Sequence, residues 1–232
     1  MIKAEITDLG VKVELEKENI KIYKYLSHNS FAQALLNNTG INTGILPPGT
    51  LAYKQQGNQI KIAMVVPESI QEVTYDARDG KKISTYEVPT PHLLWIFKFK
   101  LDNTYERGIV YALKNLDISN NMDIYKFPFS NVSDYVCWGE QMKMEGKKFE
   151  SLYGLSSLPA LFYKLTFNTD LDGNVERSKL FTIPQIKKWY DEAGHPETEN
   201  WSATQILFKA LNKEKQFPYD CLYCIGKFEN VF

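Results

Sequence analysis

Cysteine is scarce in this sequence, with three among 232 residues, at positions 137, 221 and 224. An odd and sparse count excludes a disulfide framework and fits a reducing compartment, so a cytoplasmic protein is expected. Histidine is equally scarce, and His28, His92 and His195 are too scattered to outline a metal cage. Long apolar runs are missing. The richest stretch, Leu93 to Phe99, is far too short to span a bilayer and is interrupted by Lys98. The segment Met1-Ile2-Lys3-Ala4-Glu5-Ile6 alternates charged and apolar residues, so it reads as a strand rather than a signal peptide, and no export is expected. Neither sign of charge dominates, since 27 basic and 28 acidic residues leave a net charge of -1. No overall field therefore draws the chain to nucleic acid or to a membrane, and direct contact with either is not expected. A glycine-rich phosphate cradle, a zincin motif and a nucleophile-elbow serine are also missing, which argues against nucleotide hydrolysis and the common hydrolase mechanisms.

What is present is apolar: 44% hydrophobic and 13% aromatic residues suffice to bury the core of a single domain over residues 1–232, with room for a small subdomain. Apolar and polar residues alternate in Ile2 to Ile6, Val11 to Leu15 and Ile20 to Tyr25, the period of half-buried strands. Asp8-Leu9-Gly10 turns the first pair. Asn29 or Ser30 is positioned to cap a short helix through Phe31, Ala34, Leu35 and Leu36. Three hairpins follow. Their arms are Leu51–Lys54 with Gln59–Val66, Gln71–Tyr75 with Lys81–Val88, and Leu93–Leu101 with Tyr105–Leu113, turning at Gly57-Asn58, Asp79-Gly80 and Asp102-Asn103. The spacing predicts one antiparallel meander, with Leu93, Trp95, Phe97 and Phe99 on the core face and Leu94, Ile96 and Lys98 on the other.

Beyond residue 151 the texture becomes helical. A helix is expected between Leu152 and Leu165. Thr182-Ile183-Pro184-Gln185 and Ser202-Ala203-Thr204-Gln205 each have the form of a capping box, the second with Trp201 placed to staple onto Ile206. Strands followed by helices indicate an α+β fold, an antiparallel β-meander with flanking helices.

Cys137 follows the run Phe127-Pro128-Phe129-Ser130-Asn131-Val132-Ser133-Asp134-Tyr135-Val136. A thiolate can hold an acyl group as a thioester, provided that a nearby donor stabilises the oxyanion, and an asparagine amide is a suitable donor. Free cysteine is also a common core residue, so burial is the competing reading of Cys137. Asn131 either supports the oxyanion or closes a turn on its own backbone, and Asp134 either orients an incoming amine or is simply solvated. Asp134 and Glu140 would raise the thiol pKa if near, and no histidine or lysine adjoins Cys137 in sequence to lower it. Cys221-Leu222-Tyr223-Cys224 has the spacing of a redox pair or half a zinc site, but without further ligands it reads as two buried cysteines in a terminal strand or loop. His92 reads as structural, His195 as a helix-exit residue, and the pairs Lys81-Lys82, Lys147-Lys148 and Lys187-Lys188 as solvated or as a docking face for an acidic partner.

A meander leading into a Pro/Asn element and then a cysteine resembles the ubiquitin-conjugating (E2) fold, whose signature is His-Pro-Asn, a loop and the catalytic cysteine. Pro128, Asn131 and Cys137 stand in that order. Phe129 and Ser130 intervene, no histidine is present, and the loop is shorter than in eukaryotic enzymes. The chain is more similar to prokaryotic E2 family D, including the B component of PRTRC cassettes. The resembling features are Leu46-Pro47-Pro48-Gly49-Thr50, Val88-Pro89-Thr90-Pro91-His92-Leu93-Leu94, and Asn131-Val132-Ser133 leading to Val136-Cys137-Trp138-Gly139, within roughly residues 40–190. The resemblance implies an E2-like core and partners of three kinds: a ubiquitin-like protein, an E1-like (ThiF-type) enzyme and a JAB-type peptidase. It implies a carrier that accepts the modifier on Cys137 and passes it to an amine, with Asn131 supporting the oxyanion; no cofactor or metal is expected. The alternative is a non-catalytic E2-variant module that binds or assembles components of a plasmid or phage cassette.

Overall fold

The computed structural model describes residues 2–8, 10–17, 20–31, 45–76, 83–140, 142–168, 184, 188, 191 and 203–232. The chain divides into two compact units, Met1–Gly44 and Ile45–Phe232.

The first unit holds the three alternating segments that the sequence predicts, β1 (Ile2–Thr7), β2 (Gly10–Lys17) and β3 (Ile20–Leu26), as an antiparallel sheet in the order β1-β2-β3. The register places Ile6, Val11 and Leu26 in one row and Ala4, Val13 and Lys24 in the next, so alternation gathers the apolar residues on one face. Lys3, Glu14 and Tyr23 share the opposite face, where Lys21 pairs with Glu14 at 2.9 Å and Lys12 lies over the Tyr23 ring. The following turn is capped by Ser27 rather than by Asn29 or Ser30: Ser27 Oγ accepts from the Ser30 N–H at 3.1 Å and its carbonyl accepts from the Phe31 N–H at 2.9 Å. Residues 32–36 of that expected helix lie outside the described residues.

The second unit contains β4 (Thr50–Gln56), β5 (Gln59–Val66), β6 (Ser69–Tyr75), β7 (Ser84–Thr90), β8 (His92–Lys100), β9 (Tyr105–Leu113), β10 (Asp123–Lys126), β11 (Thr166–Phe167) and β12 (Cys224–Lys227). Its α-helices include α1 (Leu158–Phe162), α2 (Ala203–Glu214) and α3 (Phe228–Val231). The fold is α+β and mostly antiparallel. A six-stranded sheet runs β12-β10-β9-β8-β5-β4, and a second sheet runs β11-β6-β7, with β11 parallel to β6. Among the described residues no helix is long and apolar enough to cross a membrane.

The expected single meander is therefore interrupted. The β6–β7 hairpin leaves it, and β5 pairs directly with β8, matching Met64 to Trp95, Ile62 to Phe97 and Ile60 to Phe99. Pro67 after β5 and Pro91 before β8 lack the N–H that would continue a ladder, so both junctions are breaks. The hairpin buries Val73, Tyr75, Tyr86 and Val88, and Phe208 of α2 meets the rings of Tyr75 and Tyr86. Its expected Asp79-Gly80 turn lies outside the described residues. Before β4, Thr50 N–H and Oγ both bond to the Pro47 carbonyl, and Gly49 at φ +77° lies so close to β5 that a Cβ would sit 2.5 Å from the Val65 carbonyl oxygen.

Trp95, Phe97 and Phe99 are fully buried, as the alternation predicts. Leu94 and Ile96 on the opposite face are buried too, in a second cluster with Phe228 of α3, so both faces of the central strand are core. On the first face five phenylalanines form a closed circuit of edge-on contacts. Ring centroids are 5.3 Å apart for Phe127–Phe129, 5.1 Å for Phe129–Phe208, 5.3 Å for Phe208–Phe167, 5.4 Å for Phe167–Phe162 and 5.7 Å for Phe162–Phe127.

The helix expected between Leu152 and Leu165 is a 3-10 segment, Leu152–Ser157, capped by Ser151 Oγ, followed by the short α1 with Pro159 in its first turn. The helix expected from Thr182 falls largely outside the described residues, of which Pro184, Lys188 and Asp191 are helical. The last predicted helix is α2; its expected cap Ser202 and staple Trp201 lie outside the described residues.

Phe208→Ala should lower stability by about 3–5 kcal/mol, because it opens the circuit and uncouples α2 from both β7 and the 127–129 segment. Urea unfolding at constant m-value would measure it.

Candidate functional site

Residues 127–138 cross the buried face of the six-stranded sheet. Phe127, Phe129, Val132, Val136 and Trp138 all point into the main core, and Ser130 and Asn131 are buried with them. The chain then makes a tight loop. Asn131 adopts φ +66°, a conformation that asparagine tolerates better than other residues with a Cβ, and Val132 bridges to Val136. The Asn131 carbonyl accepts the Cys137 N–H at 2.8 Å, and the Gly108 carbonyl of β9 accepts the Val136 N–H at 2.8 Å. Ser133, Asp134 and Tyr135 form the exposed tip.

This geometry keeps Cys137 at the surface: its residue is exposed, between the buried neighbours Val136 and Trp138. Asn131 and Cys137 are thus brought together through the backbone. The Asn131 side-chain amide goes elsewhere, donating to the Thr166 carbonyl of β11 at 3.1 Å. The left-handed backbone of Asn131 turns the chain, while its side-chain amide is bonded to β11 rather than to its own backbone or to the thiol. Asp134 is exposed at the tip, near enough to Tyr111 that its charge adds to burial in raising that phenol above the ordinary tyrosine range.

Trp138 fastens the loop behind the cysteine. Its indole N–H donates to the Tyr105 hydroxyl at 2.8 Å, and its ring packs against Trp95 and Phe162. Burial holds the Tyr105 phenol far above its ordinary pKa, so it stays protonated and accepts through oxygen. Gly108 makes the arrangement possible. A Cβ there would lie 2.8 Å from the Tyr105 hydroxyl and 3.2 Å from the Phe97 ring. Tyr105, Gly108 and Thr166 are the positioning residues that sequence reasoning missed. Gly108 in the interior of a predicted strand was the one available sign, since an interior glycine marks close approach.

Cys221 and Cys224 are not two buried cysteines. Cys221 is half-buried at the end of the 3-10 turn Tyr219–Cys221, and burial pushes its thiol up to about 12. Cys224 is exposed at the start of β12, because that strand is short and lies at the sheet edge, and its Sγ is 3.7 Å from Asp123 Oδ1. Asp123 is itself paired with Lys227 at 2.7 Å. Among the described residues no group of histidine, cysteine and carboxylate side chains is arranged to hold a metal ion. His92 accepts the Glu68 N–H on Nδ1 at 2.9 Å and lies against Tyr219, a structural role. Lys147 and Lys148 are exposed, Lys148 facing Asp102 at 3.9 Å. His195, Lys81, Lys82 and Lys187 lie outside the described residues.

Tyr105→Phe should cost about 1–3 kcal/mol by leaving the Trp138 N–H buried without an acceptor, and the tryptophan fluorescence should change with it. Alkylation at neutral pH, resolved by mass, should label Cys137 and Cys224 in the folded protein and Cys221 only after unfolding. The raised Cys221 pKa also sets a sign: its contribution to stability is whole below the ordinary thiol value of 9.0 and is lost as pH rises towards about 12. Comparison of the chain with protein-family models, with curated proteins and with solved structures finds no match to any of them.

Proposed function

We propose that this protein is an E2-like carrier of a ubiquitin-like modifier, with Cys137 as the acyl acceptor. The observation that carries the reading is an exposed thiol on a loop anchored by the buried side chains of Val132, Val136 and Trp138 and tied through its backbone to β9. The antiparallel order β4-β5-β8-β9, from which only the β6–β7 hairpin departs, and the bond of the Asn131–Cys137 segment to β9 support an E2/UBC-like core. In this reading the Cys137 thiolate attacks the thioester of an E1-like enzyme, a new S–C bond forms, and the E1 thiolate leaves. A neutral lysine amine then attacks the carrier thioester, an amide forms, the Cys137 thiolate leaves, and the proton shed by the nitrogen passes to the thiolate or to solvent. Asn131 holds the loop in shape, and Asp134 at the tip faces the incoming amine. The compartment in this reading is the cytoplasm, and a JAB-type peptidase of the same system would reverse the modification.

One observation favours a second reading, a non-catalytic E2-variant module that binds or assembles components of a plasmid or phage cassette. The Asn131 amide is spent on Thr166 rather than directed at the Cys137 thiol, so the oxyanion donor of the E2 signature is not in place.

A thioester assay separates the two. With an E1-like enzyme, its ubiquitin-like protein and ATP, the wild type should form a reductant-sensitive adduct, Cys137→Ser a reductant-resistant one, and Cys137→Ala none. Modifier transfer by Cys137→Ala at the wild-type rate would overturn the carrier reading. Reversible binding of the modifier with no adduct would establish the second.

A further inference from the structure

The face of the six-stranded sheet opposite the main core carries, beside the cluster that contains Phe228, a row of cations that the register alone creates. Lys54 of β4 stands opposite Lys61 of β5, Lys61 opposite Lys98 of β8, and Lys98 opposite Arg107 of β9. Four positive side chains therefore cross four adjacent strands in one line, spanning roughly 14 Å at the ordinary strand spacing. Like charges placed directly opposite one another in a sheet are destabilising, so folding alone does not favour such a row. Among the described residues no carboxylate forms an ion pair with Lys61, Lys98 or Arg107. The Glu106 carboxylate only partly offsets the neighbours: burial first, then Arg107 and Lys61, push the Lys98 ammonium below the ordinary lysine value.

We propose that this row is a binding site for an acidic peptide segment of a partner protein. The rows beside it are consistent with carboxylate recognition. On one side lie Gln56, Gln59 and Lys100, and the Gln59 amide already donates to the Glu106 carboxylate at 3.3 Å. On the other lie Ala52, Ala63, Ile96 and Ile109, of which Ala63 and Ile96 are covered in the cluster that contains Phe228. The chain itself lays a main-chain oxygen on the first member of the row, with Phe232 O 3.5 Å from Lys54 Nζ. A single-stranded nucleic acid would need exposed aromatic rings for its bases, and neither flanking row contains one. A membrane surface would be matched by a broad patch, whereas this is a single line with half-buried lysines at its centre. Arg107 at the exposed end offers a planar fork suited to a carboxylate.

The test is fluorescence anisotropy of the full chain with a labelled glutamate–serine repeat peptide, its glutamine–serine counterpart, oligothymidylate, and phosphatidylserine vesicles measured by sedimentation. The acidic peptide should bind, the glutamine peptide should not, and salt should weaken the complex. Lys61→Gln/Lys98→Gln should weaken binding by about tenfold while Lys164→Gln leaves it unchanged. The same double variant should melt about 2 °C higher, since repulsion within the row is relieved. If that variant fails to fold, the exposed Arg107→Gln, with a loss of about threefold, decides instead. Absence of peptide binding, equal binding by the variant, or tighter binding to oligothymidylate or vesicles would overturn the proposal.

Discussion

The edge-on circuit of Phe127, Phe129, Phe208, Phe167 and Phe162 is the contact on which the rest of the second unit depends. It joins four pieces that no hydrogen-bond ladder joins: the segment entering the cysteine loop, α1, β11 and α2. Each edge-to-face pair contributes about 0.5–1.5 kcal/mol beyond the area it buries, and a closed ring of them restrains every member from two sides. Trp95, Trp138 and Tyr105 extend the same aromatic mass under the loop. A surface thiol is thereby mounted on rigid material, and the loop can expose Ser133, Asp134, Tyr135 and Cys137 without becoming loose itself.

Much of the secondary structure was legible because alternation is a local signal. The strands from Ile2 to Leu26, the arms of the three hairpins and the burial of Trp95, Phe97 and Phe99 follow from period-two patterning. Sheet membership was not legible. Val73, Tyr75, Tyr86 and Val88 alternate as β5 and β8 do, and nothing local says that they pack under α2 rather than beside β5. Strands β10 and β12 are four residues each and pair across the chain from Asp123 to Lys227, beyond the reach of any local pattern.

The site divides along the same line. The sequence singled out Cys137 and Asn131, and the turn chemistry of asparagine is visible in its left-handed backbone. The partners that hold their loop, the Tyr105 hydroxyl and Gly108 carbonyl of β9 and the Thr166 carbonyl of β11, come from two distant points in the chain. The CxxC spacing misled for a related reason. Spacing does not say that one thiol ends a 3-10 turn, half-buried, while the other opens an edge strand.

The parallel pairing of β11 with β6 has a consequence for how the chain acquires its structure. Thr74 and Thr166 meet only after the intervening polypeptide, including all of β7 to β10, has been made and brought back. Closing so long a loop carries an entropic cost that the two residues of β11 cannot offset alone. Docking of this strand must therefore be concerted with collapse of Phe162, Phe167 and Phe208 onto the sheet. During synthesis the aromatic circuit cannot close until Phe208 of α2 has been made, so the core around Phe127 and Phe129 is completed late.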